Sequence, residues 1–92
     1  TKMDPDAARL HALPMVLEMA TDAVPNIRFN VAKELERMAP VCGATAYETL
    51  ILPVLSMLLE DDDRDVRLYA EKTATALDEL FVEDLEKTMI AS

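Results

Sequence analysis

The sequence predicts an all-α fold, an α-solenoid made of two stacked pairs of antiparallel helices. Three observations carry this reading. A displacement of 39 residues lays the second half of the chain on the first without a gap. Apolar residues in each half recur at helical spacing. The chain has a single glycine, Gly43, too few for the positive-φ turns of a small β fold.

The register starts from Leu13-Pro14 and Leu52-Pro53 and carries the later positions with it. Asp22 falls on Asp61, Ile27 on Val66, Arg28 on Arg67, Val31 on Ala70, Lys33 on Lys72 and Met38 on Leu77. Ile27, Val31, Leu35, Met38 and Cys42 lie along one helix stripe, and their counterparts Val66, Ala70, Ala74, Leu77 and Phe81 are again all apolar. Such a period marks a repeat architecture, in which each unit buries its apolar face against the next. The expected units are residues 1–44 and 45–81, each a helix pair, followed by a tail or short helical cap over 82–92.

In chain order, the first helix is expected over Pro5 to Ala20, with Asp4 as N-cap and Pro5 at the first helical position, where its missing N–H is harmless. Leu13, Val16, Leu17 and Ala20 face one way. The turn Thr21 to Pro25 is short, so the second helix returns antiparallel, with Pro25 at its start. Pro40 and Gly43 are expected to end it. Thr45 with Glu48 reads as a capping box for a third helix reaching Leu59. The turn Glu60 to Arg64 leads into the fourth. Pro14 and Pro53 fall inside the first and third helices, where each removes one backbone hydrogen bond and predicts a kink or a late start.

Composition narrows the function. Eighteen acidic against nine basic side chains give a formal charge of −9, which repels nucleic-acid phosphates and anionic lipid, so neither is an expected partner. The longest apolar run, Ile51 to Leu59, falls short of a membrane span. Cys42, the only cysteine, closes no internal disulfide, and a reducing compartment is expected. Asp4 and Asp6, with no apolar segment beside them, do not make a secretory signal.

The pattern D-x-x-x-x-[VI]-R occurs twice, at Asp22 to Arg28 and Asp61 to Arg67. With Leu-Pro in the first helix of each pair, it resembles a HEAT repeat. The resemblance implies about four antiparallel helices in a right-handed superhelical stack, with Asp22, Arg28, Asp61 and Arg67 forming a structural ladder between neighbouring repeats. Over residues 10–81 the likeness is closer: VPNIRFNVAKELERMAP, flanked by LPMVLEMATDA and LPVLSMLLEDDDRDVRLYAEKTATAL, resembles the last repeats of the structural A subunits of protein phosphatase 2A. The segment at 28–33 is its most specific part. The linker Val41 to Tyr47, the turn Asp61-Asp62-Asp63 and the tail Val82 to Ser92 depart from that pattern, and no partner contact is carried onto the tail.

That resemblance implies a non-enzymatic scaffold with no cofactor, working in the cytoplasm with the nucleus as a second compartment. Its partners would be the catalytic subunit of a protein phosphatase together with a regulatory B-type subunit. The expected protein-binding residues are Asp22, Val24, Pro25, Asn26, Asp62, Asp63 and Arg64, at the turns and the starts of the second helices. Val24 comes first, because a valine at a turn tip has no local structural use. The alternative is a nuclear-transport adaptor of the importin kind, whose acidic inner surface would take basic peptides. Two repeats fall below the three or so that make a stack comfortably stable, so the isolated chain is expected to self-associate.

Other chemistries fail on the residues. Asp61-x-Asp63-x-Asp65 begins like a calcium loop, but Val66 stands where glycine is needed and Lys72 where the bidentate Glu is needed. His11 is the only histidine, so neither a zinc pair nor a hydrolytic triad can be assembled. Cys42 reads as a buried inert thiol, and the six methionines as fillers of core gaps.

Overall fold

The structure is a computed structural model that describes residues 4–91, with side chains described as far as Phe81. Four helices follow one another: α1 over 5–21, α2 over Pro25–Cys42, α3 over 44–58 and α4 over Arg64–Ala91. No strand occurs among the described residues. Among the described residues no helix is long and apolar enough to cross a membrane. The backbone of α4 runs unbroken to Ala91, and the side chains of the tail lie outside the described residues.

Asp4 caps α1 as the sequence suggests: its carboxylate accepts a bond of 3.1 Å from the Asp6 N–H, and Pro5 takes the first position. Pro14 and Pro53 neither break their helices nor delay them. Each is preceded by one π-helical turn, Ala8–Ala12 and Tyr47–Ile51. The Leu13 N–H donates to the Ala8 carbonyl and the Leu52 N–H to the Tyr47 carbonyl. The wider turn takes up the missing proline N–H and makes room for the ring, which would collide with a carbonyl four residues back. Both units use the same device.

Two expectations at the junction between the pairs are corrected. Pro40 lies inside α2, which runs on to Cys42, and Gly43 alone ends it, with φ 96° and ψ 170°. Thr45 and Glu48 form no capping box, because Gly43 is itself the N-cap of α3. The glycine turn consumes no further residue, so Thr45 is already within the first helical turn, where its hydroxyl cannot reach the free N–H groups.

The core is one continuous cluster threading all four helices. From the first stripe Val31, Leu35, Met38 and Cys42 are buried, and from the second Val66, Ala70, Leu77 and Phe81; Ile27 and Ala74 are only half-buried. The α2 and α4 helices pack along each other through Ala32 and Ala39, both 0% exposed. At the matching positions of α4 stand Glu71 and Asp78, both exposed. Small residues allow the close approach of two helix backbones, and the acids sit where α4 has no such neighbour. Thr73, fully buried, donates from Oγ1 to the Ala32 carbonyl at 3.2 Å. Tyr47 stacks on Phe81 with ring centroids 4.5 Å apart, tying α3 to α4.

Of the four methionines whose side chains are described, only one fills the core. Met38 is buried, but Met15, Met19 and Met57 are exposed. Cys42 is buried, and that burial pushes its thiol above the ordinary cysteine range.

Candidate protein-binding ridge

The α1–α2 and α3–α4 turns stand side by side and are built alike. Asp22 Oδ1 accepts from the Val24 N–H at 2.9 Å, and Asp61 Oδ1 accepts from the Asp63 N–H at 2.9 Å. A short acidic side chain thus closes each turn on its own backbone two residues on. The arginine six residues later secures the same turn from behind. Arg28 Nη1 donates to the Asp22 carbonyl and Arg67 Nη1 to the Asp61 carbonyl, each at 2.7 Å.

The ladder among these four residues has a single rung here. Arg28 Nε and Nη2 grip both carboxylate oxygens of Asp61, at 2.7 and 3.0 Å, linking the first unit to the second. This fork-on-fork geometry is the strong form of such a pair. The bond from Arg28 holds the Asp61 carboxyl below its usual range, against a smaller opposing effect of burial. The guanidinium is held above its own ordinary value by the same bond. Arg67 grips no carboxylate among the described residues; its Nη1 adds the Asp62 carbonyl at 2.9 Å.

At the ridge crest the units differ. Asp63 accepts from the Asp65 and Val66 N–H groups at 2.9 and 3.1 Å, capping the start of α4. Its counterpart at the start of α2 is Val24, the N-cap, which makes no side-chain bond. Val24 is 48% exposed. Pro25, Asn26, Asp62 and Arg64 are exposed around it, while Asp22 and Asp63 are half-buried through their turn bonds. A cleft between the two turns, lined by Ala23, Arg28, Met57 and Asp62 among others, has a volume of about 390 Å³.

Sequence reasoning missed the aromatic pair behind this ridge. Phe29 and Tyr69 meet edge to face at 5.0 Å. They are one residue out of register with each other, so the 39-residue displacement does not align them. Among the described residues no cluster of His, Cys, Asp or Glu is arranged to hold a metal ion.

Paired antiparallel helices with a repeated Asp-to-Arg turn define the class: the chain is an α-solenoid of two HEAT repeats. The family model for the HEAT repeat matches residues 12–42. Within that class the likeness is to the regulatory A subunits of protein phosphatase 2A. The PP2A regulatory A-type subunit of Saccharomyces cerevisiae is 38% identical over 81 residues, which are 82% of this chain and 13% of that relative. The beta isoform of the 65 kDa A-type regulatory subunit of phosphatase 2A from Homo sapiens is 43% identical over 54 residues, 59% of this chain and 9% of its own. A weaker match, regulatory subunit 4 of protein phosphatase 4 from Mus musculus, is 28% identical over 90 residues, 97% of this chain and 10% of that one. The chain therefore spans only about a tenth of the length of the curated relatives it matches.

Proposed function

We propose that this chain is a non-catalytic scaffold piece that holds the catalytic subunit of a phosphatase 2A-type complex on the ridge formed by its two turns. The assembly would also carry a B-type regulatory subunit on other repeats. Shape does the work: helices fixed by the Arg28–Asp61 rung present two turns at a set spacing, and no bond is made or broken. The relatives are named as phosphatase regulatory subunits, which weighs for this reading over a transport adaptor.

The observation that carries it is Val24. At an N-cap a Ser, Thr, Asp or Asn stabilises the helix by about 1 kcal/mol over an aliphatic residue, and the second unit has Asp63 there. An exposed valine is locally the worse choice, and burial in a partner pocket would contribute about 1.5–3 kcal/mol. The test is titration of a purified phosphatase 2A catalytic subunit with the wild-type chain and with Val24→Asp. Binding weakened roughly tenfold or more by the substitution is expected; equal binding would remove the ridge assignment and leave the fold untouched.

Self-association of the isolated chain is part of the same reading. Leu10, Met15 and Met19 are 70%, 66% and 43% exposed and follow one another along α1. The positions matching Met15 and Met19 in the second unit, Val54 and Leu58, are half-buried and buried. Met15 and Met19 thus occupy repeat positions that are covered once a neighbouring helix pair is in place, while Thr49, the counterpart of Leu10, stays exposed. In the isolated chain, a second copy would cover the stripe.

A further inference from the structure

A groove between α2 and α4, with a volume of about 670 Å³, opens beside the α3–α4 turn and begins at Pro25, Asn26 and Asp63 of the ridge. The Phe29–Tyr69 pair lies in its floor, and Leu68, 52% exposed, forms an open apolar wall. Asp63 and Asp65 stand at the turn end and Lys72 at the other. The Asp63 carboxylate already serves the start of α4, whereas neither Asp65 nor Lys72 has an ion-pair partner among the described residues. Lys72 Nζ lies 5.0 Å from the Tyr69 ring centroid, and Lys33, its counterpart, lies 5.8 Å from that of Phe29. Residues 65, 68, 69 and 72 follow i, i+3, i+4, i+7, one face of a helix over about 10 Å. The groove is therefore ordered along its length: carboxylate, then apolar, then ammonium.

We propose that this groove docks an amphipathic helix of a partner protein, lying antiparallel to α4 and presenting an acidic residue at i, apolar residues at i+3 and i+4, and a basic residue at i+7. The charge order of the groove requires a cation opposite Asp65 and an anion opposite Lys72. A helix displays three such groups on one face over the same 10 Å or so. An extended segment covers that distance in about three residues and turns every other side chain away, so it offers two of the three. The direction follows from the helix dipole: acids are best placed near a helix N-terminus and bases near its C-terminus. The basic end of the docked helix then meets Asp65 at the start of α4, and the two dipoles oppose each other. The groove adjoins the ridge and shares Pro25, Asn26 and Asp63 with it, but the residues that set its charge order, Asp65, Leu68 and Lys72, lie along α4, so docking there is tested without Val24 or a catalytic subunit.

Two fluorescent, stapled helical peptides of identical composition provide the test. One carries Glu-x-x-Leu-Leu-x-x-Lys and the other has the Glu and Lys moved to the helix face away from the two Leu; each is titrated with the whole chain by fluorescence anisotropy. The first is expected to bind roughly tenfold more tightly or better. Leu68→Asp should abolish binding of both, and Lys72→Glu should remove the preference for the first peptide. Both residues are exposed, so circular dichroism should show both variants folded. Equal affinity of the wild type for the two peptides, no saturable binding of either, or a preference that survives Lys72→Glu would overturn the proposal.

Discussion

Val24 sits where α2 has use for a capping oxygen and supplies a hydrocarbon instead. Stability and binding should therefore move in opposite directions on substitution. Val24→Asp is expected to stabilise the chain by about 0.5–1 kcal/mol in thermal unfolding, through a new bond to the first N–H groups of α2, while weakening the partner complex. A variant that lost both would mean that valine packs locally. Asp61 gives a second prediction at this scale. Its folded carboxyl titrates below its ordinary value, so the unfolded chain binds the proton first as pH falls. The stability from the Arg28 rung is complete above the ordinary carboxylate pKa of about 4 and is lost as pH drops through the folded value. Melting temperatures followed from about pH 6 down to about pH 2 should fall more steeply for wild type than for Asp61→Asn, which starts lower and lacks this titration.

At the scale of elements, Gly43 joins the two pairs with no spare residue. Its φ of 96° with ψ near 170° is a backbone state essentially restricted to glycine, yet nothing lies within 4 Å of where a Cβ would stand. Gly43→Ala should therefore cost about 1–3 kcal/mol through backbone strain alone, with no steric clash added. Denaturant unfolding with an unchanged slope would read this out, and a neutral result would show that the junction relaxes. The π turns before Pro14 and Pro53 belong to the same scale. Recurring 39 residues apart, they set the face that each helix turns to the core: Ala8 and Leu13, one π turn apart, are both 0% exposed.

For the whole molecule, the two outer faces are unlike. Beyond α4, Glu71 and Asp78 replace the alanines that let α2 approach it, whereas α1 shows Leu10, Met15 and Met19. An apolar stripe of this kind invites a partner, and acids opposing acids do not. Sedimentation velocity over a range of concentrations should show wild type associating and the double variant Met15→Glu, Met19→Glu remaining monomeric. A wild-type chain monomeric throughout would mean that the stripe is tolerated in water.

The sequence by itself determined the helix pairs, their 39-residue register, the cap at Asp4, the helix start at Pro25 and most of both core stripes, because these depend on local spacing and on which residues must leave water. It also singled out the Asp–Arg turns, although only as a motif. Tertiary structure decided the rest. How a helix accommodates Pro14, which side of α1 is left open, that Arg28 reaches Asp61 while Arg67 turns to backbone carbonyls, and that Phe29 meets Tyr69 all depend on the packing of one unit against the next. A repeat presents similar residues at equivalent positions, and only the presence or absence of a neighbour makes one of them core and its counterpart surface.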